Sequence, residues 1–463
     1  MRDRFETLAA LKSALRRTAI ELQNERRGVS PEIPEGSARL ATLLGATPAQ
    51  NRFGEHLALR RWFSESIGCE PPDRVDETVL RLLAPDAPAD IADPRQWLFL
   101  DTETTGLAGG TGTYAFLVGI AWWDAGGLEV EQFFMRDHSE EHSLLVALAE
   151  RMAERRVLVT FNGKTFDWPL LETRYRMTRV IRPPAPRTHL DFLHPARTLW
   201  RLQLGSARLP ALERHALGWD RGVDVDSSLI PSIYFDFLRG GSPDPLVPIF
   251  LHNQMDLRGL AGLAALTLSL LENPETRGRD GFELLGVSRI CERRGHATRA
   301  RQLYKYSIAS DLPLQAAQLA RKSLARLAKK DKDFAAACEM WTEILTDART
   351  QGPISPDALD AYEQLAIHLE RRSGEPHRAA VLVRQALAEL RCASRLGVLA
   401  ASVCVRYRQR FEKRLCRLER LQQKTGRMLV NAPLEPLGTE SRQPVAESNG
   451  EATWPESLDP GSG

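Results

Sequence analysis

A short stretch near residue 100 constrains the fold of this chain more than any other feature. Residues 97–100 are four consecutive apolar residues, which is typical of a buried β-strand. They run directly into Asp101 and Glu103. Because side chains alternate along a strand, both carboxylates are predicted to lie on one face. Two acids side by side at the end of a buried strand repel each other unless a cation lies between them. The stretch therefore predicts a site for a hard divalent ion such as Mg²⁺, which prefers oxygen ligands.

Composition narrows the class of protein but not its partners. A chain of 463 residues with 43% hydrophobic and 26% charged residues has room for two or three domains. Its net charge of +2 says little about what it binds. Six scattered cysteines without a C-x-x-C pair argue against a structural zinc site or a disulfide framework, and favour the cytoplasm. The sequence also predicts no signal peptide and no membrane-spanning helix.

The hydrophobic pattern divides the chain into regions of different character. Apolar strands followed by alternating helices and strands predict an α/β domain with a mixed sheet flanked by helices. A polar segment rich in proline, glycine and serine, with few apolar residues, predicts a disordered tail. The predicted regions are a helical leader and linker (1–94), the α/β domain (95–272), an α-helical region (276–430) and the tail (431–463).

The α-helical region shows a loose internal pattern. Three segments combine an apolar helix, a charged turn and an alanine-led helix at spacings of roughly 35 to 45 residues, in the range of tetratricopeptide-like repeats. A plain helical bundle fits the same pattern equally well. The region ends in a basic helix, residues 396–429, which is either a phosphate-contacting surface or a solvated face.

Two further short segments with acidic residues follow along the chain. We call Asp101 with Glu103 the first acidic station, and these two segments the second and third. Asp167 ends the segment Asn-Gly-Lys-Thr-Phe at 162–166. Its carboxylate could also serve as the cap of a helix that begins at Trp168. His252 and Asp256 lie four residues apart, so on a helix they share one face. Taken alone, His252 would more often be a structural histidine.

If these stations converge, they can hold two divalent ions about 4 Å apart, the arrangement that clamps the attacking and leaving oxygens of a phosphodiester. Asp101 would bridge the two ions. Glu103 and Asp256 would hold one ion, and Asp167 would hold the second directly or through water. His252, whose ordinary pKa is near 6.5, could then take the proton from the attacking water.

Residues beside these stations are predicted to contact the nucleic acid. Asn162 can bond a phosphate or sugar, and Phe166 can stack on a base, with core packing as the alternative for Phe166. The threonines after Glu103 can offer backbone or hydroxyl groups to a terminal nucleotide. The predicted substrate-binding residues are Thr104, Thr105, Asn162, Lys164 and Phe166.

The three stations resemble the motifs of the DEDD exonucleases, which have an RNase H-like fold. Residues 101–107 look like the first motif, 162–167 like the second, and His252 with Asp256 like the third. The insert at 109–113 and the helical C-terminal region resemble more specifically the YprB-type family of predicted nucleases, which joins an RNase H-like domain to tetratricopeptide-like repeats. One difference is that the histidine subclass places its base five residues before the last aspartate, whereas the gap here is four.

The resemblance implies 3′-to-5′ removal of nucleotides from a single strand or 3′ end of DNA or RNA, with two Mg²⁺ or Mn²⁺ ions. The helical repeats are expected to bind a protein partner or to guide the substrate. Two other functions stay open at this point. One is a structure-selective endonuclease on the same fold, since the carboxylates do not decide where the cut falls. The other is a helical-repeat scaffold whose nuclease-like domain only binds nucleic acid.

Overall fold

The structure of the protein is a computed structural model that describes residues 35–65, 67–106, 111–182, 184–277, 280–351 and 354–430. The predicted tail, 431–463, and the first part of the predicted leader lie outside these residues. The chain divides into two compact units, with the boundary in the sequence after residue 352. All six cysteines lie in the described residues and are free thiols. Among the described helices, none has the length and apolar character needed to cross a bilayer.

A seven-stranded mixed sheet forms the centre of the first unit, as the sequence predicts. The strand order is β1-β2-β5-β4-β3-β6-β7. The central strand β3 is antiparallel to β4 and parallel to β6. The strands are β1 (Thr47–Asn51), β2 (Gly54–Phe63), β3 (Trp97–Thr104), β4 (Ala115–Asp124), β5 (Gly127–Phe134), β6 (Val157–Thr160) and β7 (Thr188–Asp191).

The described part of the leader is not purely helical, contrary to the prediction. Strands β1 and β2 form an antiparallel pair, and β2 extends the sheet along β5. In β2, Leu57 and Leu59 are buried while the residue between them is more exposed. The alternation does not continue through the rest of this ten-residue strand, so its sequence pattern is weak. Its strand conformation depends on pairing with β5, a partner about 70 residues away in the chain.

The sheet carries a hydrophobic core on each face. Trp97 and Phe99 of β3 belong to one core, and Leu98 and Leu100 belong to the other. This alternation is what a fully buried strand requires. The helices of this part are α1 (Glu35–Leu44), α2 (Glu77–Leu83), α3 (Glu141–Glu154), α4 (Asp167–Thr178), α5 (Leu193–Leu199), α6 (Arg201–Leu204), α7 (Leu209–Leu212), α8 (Ile230–Leu238) and α9 (Val247–Glu272).

The helices that follow α9 in the first unit share the core of the sheet. Leu285 and Leu303 belong to the same buried cluster as Trp97 and Phe99. The helical region predicted as one piece, 276–430, is therefore divided, because its first helices bury their apolar faces in the core of the α/β part. These helices are α10 (Pro274–Arg277), α11 (Gly281–Arg293), α12 (Ala297–Ala309), α13 (Leu314–Lys330) and α14 (Phe334–Gln351).

The second unit contains α15 (Pro356–Arg371), α16 (Pro376–Arg395) and α17 (Ala401–Val430). Helix α17 is the predicted basic helix, and several of its arginines are paired within the unit. Arg414 and Arg417 lie 3.0 and 2.5 Å from the same carboxylate oxygen of Glu370, and Arg410 contacts Glu363. Part of the charge that the sequence concentrates here is thus neutralised by α15, and less is available to bind phosphates.

Candidate active site

The first acidic station lies where β3 leaves the core. Asn253 of α9 donates a hydrogen bond of 2.8 Å from Nδ2 to Asp101 Oδ2. Asp101 pairs across the sheet with Gly119 of β4. A Cβ atom at Gly119 would lie 2.0 Å from Asn253 Oδ1, so the glycine is required for α9 to lie this close to the sheet. The sheet and α9 together therefore orient the Asp101 carboxylate.

A buried amide network holds Asn253 in place. Gln132 of β5 is fully buried and donates from Nε2 to Asn253 Oδ1 at 2.7 Å and to the Phe250 carbonyl at 3.0 Å. Gln254 in turn donates to Gln132 Oε1 at 2.8 Å. Because buried amides are costly to leave unpaired, this network fixes the position of α9 on the sheet.

The second station reaches the first through a hydroxyl group. Thr102 of β3 donates from Oγ1 to Asp167 Oδ1 at 2.5 Å. Helix α4 begins at Asp167, and its N-cap residue is Phe166, whose side chain makes no capping hydrogen bond. Asp167 is thus the first residue of α4, and its carboxylate is directed towards β3 rather than serving as the cap that the sequence left open.

The third station, on α9, faces the first. His252 Nε2 lies 3.3 Å from Asp256 Oδ2 and 3.9 Å from Glu103 Oε1. On the other side of the imidazole ring, Nδ1 lies 2.7 Å from Asp224 Oδ1. A carboxylate at this distance can accept a proton from Nδ1, and the ring then turns Nε2 towards Glu103 and Asp256. The structure thus brings His252 together with both carboxylates.

A buried arginine, Arg221, holds Asp256 and Asp224 in place. Arg221 donates from Nη2 to Asp256 Oδ1 at 2.5 Å and binds Glu213 through two hydrogen bonds of 2.5 and 2.6 Å. Its Nη1 atom lies 3.3 Å from Asp224 Oδ2. The Arg221 side chain is 4% exposed and that of Glu213 is fully buried. A Cβ atom at Gly259 would lie 1.6 Å from Glu213 Oε1, so Gly259 makes room for this carboxylate beside α9.

Burial and, after it, repulsion between carboxylates raise the pKa values of the inner acids. Desolvation, followed by repulsion from Asp256 and Asp167, raises the pKa of Asp101 and of Glu103 well above their ordinary values. Burial also raises the pKa of Asp167 to about 6, although the hydrogen bond from Thr102 acts in the opposite direction. The three stations therefore form one electrostatically coupled group of carboxylates.

The donor set fits hard divalent cations. Ligand atoms of Glu103, His252 and Asp256 all lie within 4.8 Å of one another. Asp101 and Asp167 add carboxylates that repel this group and one another. Bound cations would relieve the repulsion that raises the pKa values, and carboxylate oxygens are the ligands that Mg²⁺ and Mn²⁺ prefer. The residues present thus fit divalent ions.

The predicted substrate-binding residues divide into two groups. Three of them bond within the protein: Thr104 Oγ1 donates to the Gly106 carbonyl at 2.9 Å, Thr105 Oγ1 accepts from the Tyr114 N–H at 2.9 Å, and Asn162 Oδ1 accepts from Thr165 at 2.9 Å. The other two, Lys164 and Phe166, are exposed.

Phe166 is 59% exposed, so the alternative of core packing is not realised. The loop that carries it is held by Asp191, which accepts hydrogen bonds from the backbone N–H groups of Asn162 at 2.8 Å and Lys164 at 3.2 Å. Asn162 has a left-handed backbone with φ of 71°, a conformation that asparagine tolerates better than most residues. The fold therefore presents Phe166 and Lys164 to solvent beside Asp167.

Several residues of the site are not evident from the sequence. Asn253 lies within the segment 252–256 that the sequence singles out. Its hydrogen bond to Asp101, however, depends on the close approach of α9 to Gly119. Arg221 and Asp224 lie in a loop without hydrophobic periodicity, and Glu213 reaches Arg221 from another segment. The one available signal is the run of charges at 220–224, which resembles an ordinary solvated turn.

Comparison with known proteins agrees with this geometry. The family model RNase_H_2, described as RNase_H superfamily, matches residues 98–267. The chain is also 29% identical over 297 residues to the protein named "Uncharacterized protein YprB" of Bacillus subtilis (strain 168), an alignment that covers 64% of this chain and 70% of that protein. Residues 98–267 are thus similar to RNase H superfamily domains, a likeness that agrees with the mixed sheet and with the acids at its edge.

Proposed function

We propose that this chain is a metal-dependent 3′-to-5′ exonuclease of the DEDD type that acts on single strands or 3′ ends. The observation that carries the proposal is the meeting of four carboxylates from three separate segments at one edge of the sheet. Asp101 and Glu103 come from β3, Asp167 from α4 and Asp256 from α9. The superfamily match over residues 98–267 supports a nuclease. The direction of cleavage is part of this proposal and does not follow from the match.

Each acid has a proposed role as a ligand. Asp101 would contact both ions, Glu103 and Asp256 would hold one, and Asp167 would hold the other. When bound, Mg²⁺ or Mn²⁺ would supply Lewis acidity and stabilise the charge that develops on the phosphodiester oxygens.

His252 is the proposed general base. The Asp224 carboxylate, 2.7 Å from Nδ1, keeps the proton on that nitrogen and orients the ring. Nε2 is then free to accept a proton from a water in the cleft between Glu103 and Asp256. Asp224 is a positioning residue in this scheme, and Arg221 fixes both Asp224 and Asp256.

Exposed groups beside the acids are suited to holding the end of a strand. Phe166 would stack on a base, since every base presents a π face. Lys164 would attract the phosphate backbone. The hydroxyl and amide groups of Thr104, Thr105 and Asn162 are engaged within the protein, so their proposed contribution is mainly to the shape of the backbone around the terminal nucleotide.

The helices after the α/β part are the proposed repeat region. Pairs α11–α12, α13–α14 and α15–α16 begin at residues 281, 314 and 356, which supports a tetratricopeptide-like arrangement of helix hairpins. We propose the second unit, which contains α15 to α17, as the surface for a protein partner.

The test compares purified protein on end-labelled linear and circular single strands of DNA and RNA, with Mg²⁺, Mn²⁺ or a chelator. An exonuclease releases nucleotides from the linear strands and leaves the circles intact, and Asp101→Ala abolishes the release. Cleavage of the circles would instead identify an endonuclease. Binding without any metal-dependent release would identify a non-catalytic scaffold.

A further inference from the structure

A cavity of about 280 Å³ lies next to the Asn162–Asp167 loop, in the first unit. One part of its lining is apolar and includes Leu83 and Ile290. The other part is basic and contains Lys164, Arg293 and Arg294. The volume is close to the lower limit of roughly 300 Å³ for small-ligand pockets, which gives room for about one nucleotide unit but not for a duplex.

Within the part of the chain that the structure describes, the arginine side chains of the cavity bond to neutral groups rather than to acids. Arg293 donates to Thr198 Oγ1 at 2.5 Å, and Arg294 donates to the backbone carbonyls of Leu82 and Leu83 at 2.9 and 3.0 Å. Among the described residues, no carboxylate forms an ion pair with Arg293, Arg294 or Lys164. This distinguishes them from Arg410 and Arg414 of α17, which are paired with Glu363 and Glu370.

The acid that lines the cavity, Asp191, is already hydrogen-bonded to the backbone. Asp191 accepts hydrogen bonds from three backbone N–H groups, those of Asn162, Lys164 and Leu193, at 2.8 to 3.2 Å. Its charge is therefore partly compensated by the loop that it holds. Partial burial, together with the neighbouring Arg289 and Arg294, lowers the pKa of Arg293, as expected where cations lie together without an anion.

The cavity is within reach of a strand held at the candidate active site. Lys164 lines the cavity and lies three residues before Asp167, a stretch of chain that spans at most about 11 Å. Phe166, between them, is exposed. The candidate active site and the cavity are thus joined by one short loop that carries an exposed aromatic ring.

We propose that this cavity is a subsite for an internal nucleotide of a single-stranded nucleic acid, with its phosphate held by Lys164, Arg293 and Arg294. The apolar wall with Leu83 and Ile290 would receive the base or sugar. The inference rests on the proposed function for the identity of the ligand. It also assigns α11 a direct role in substrate binding, in addition to its packing against the sheet domain.

The test measures binding rather than cleavage, so that it succeeds or fails independently of the nuclease assay. Fluorescence anisotropy of 5′-labelled single strands of roughly 12 nucleotides, as DNA and as RNA, gives the dissociation constant of the full-length protein. The measurements are made with a chelator and with Ca²⁺, between roughly 50 and 200 mM salt. The variants are Arg293→Gln and Lys164→Ala.

Arg299→Gln is the matched control. Arg299 belongs to α12 and donates to the backbone carbonyls of Leu271 and Glu272 at 2.6 and 3.0 Å, but it does not line the cavity. Its replacement removes the same charge from the same group of helices. Thermal denaturation of each variant separates loss of binding from loss of folding, and Lys164, which is exposed, carries the test if Arg293→Gln fails to fold.

We expect Arg293→Gln and Lys164→Ala each to weaken binding by about tenfold, the effect of losing one charge-assisted hydrogen bond. The slope of log affinity against log salt should fall by roughly 0.7 for each cation removed. Arg299→Gln should stay within about twofold of the unmodified protein. The inference is overturned if the cavity variants behave like Arg299→Gln, or if the unmodified protein binds neither DNA nor RNA strands.

Discussion

The acidic cleft has two sides that differ in how their carboxylates are stabilised. We call the side with Asp101 and Asp167 the strand side, and the side with Asp256 and Arg221 the Arg221 side. On the strand side, Asp101 and Asp167 receive hydrogen bonds from neutral groups, the Asn253 amide and the Thr102 hydroxyl. On the other side, Asp256 pairs with the buried cation of Arg221. The strand side thus keeps uncompensated charge for a cation to neutralise, whereas the Arg221 side has charge partners built into the fold.

This difference suggests a division of labour. The strand side is expected to contribute mainly to metal binding and chemistry, at a cost in stability when the metal is absent. The Arg221 side is expected to contribute mainly to stability and to the orientation of His252. Substitutions on the two sides should therefore have different signatures in assays of activity and of folding.

Removal of Asp101 should have the strongest effect on activity. We expect Asp101→Ala to lower the rate of nucleotide release by at least about 10³-fold, because it removes a ligand proposed to contact both ions. Labelled single strands with Mg²⁺ or Mn²⁺ provide the measurement. Asp124→Ala, at an exposed acid on β4, is the control and should retain normal activity. Equal loss in both variants would contradict a specific role for Asp101.

Arg221→Gln should have its main effect on folding. It leaves the buried Glu213 carboxylate without its cation, and breaking a buried pair in this way typically costs about 3–5 kcal/mol of unfolding free energy. Chemical denaturation of the metal-free protein measures the loss. The double variant Arg221→Gln with Glu213→Gln should recover part of the stability. If it recovers none, the pair is not what stabilises this side.

On the strand side, removal of a charge should raise the free energy of unfolding rather than lower it. Because the pKa of Asp167 is raised from 3.8 to about 6, the folded protein binds its proton more tightly than the unfolded chain does. Ionisation of Asp167 therefore lowers the free energy of unfolding as pH rises from about 4 to about 6. Above pH 6 the loss is complete and amounts to about 3 kcal/mol at most.

Asp167→Asn should accordingly stabilise the metal-free protein at neutral pH and have little effect near pH 4. Denaturation curves of both proteins in a chelator, measured across this pH range, test the expectation. A stability difference that does not change with pH would show that Asp167 is not under electrostatic strain.

The smallest effect is expected for the positioning of His252. Asp224→Asn should lower activity by about 10- to 100-fold, the usual cost of losing a partner that orients a catalytic or ligating group. The loss should appear in kcat and in its pH profile, with less change in metal affinity. A loss of metal affinity equal to that of an Asp256 variant would instead place Asp224 among the ligands.

The acids and the histidine of the candidate site could be located in the sequence because their signals are local. An apolar run before Asp101, a loop before Asp167 and a helical spacing of four between His252 and Asp256 each indicate a place in the fold. Their order indicates that they converge, as the structure shows. The roles themselves stay a prediction until activity is measured.

Other features depend on contacts between distant segments. The strand conformation of β2 requires β5 as its partner, and the amide network of Asn253 requires the glycine at 119. The Arg221 cluster adds Glu213 and the loop at 220–224 to the helix that carries Asp256, and neither added segment shows a pattern that singles it out. Such residues look like ordinary turn or surface residues until the fold brings them together.

The amino-acid pattern alone was enough to indicate a mixed sheet, its central buried strand and the acids at its edge, because strand alternation and helical spacing act over a few residues. The fold was needed to establish which acids have charge partners and which arginines beside the cavity bond to neutral groups, as Arg293 and Arg294 do among the described residues. Those properties follow from distance and burial, and both depend on how segments far apart in the chain pack together.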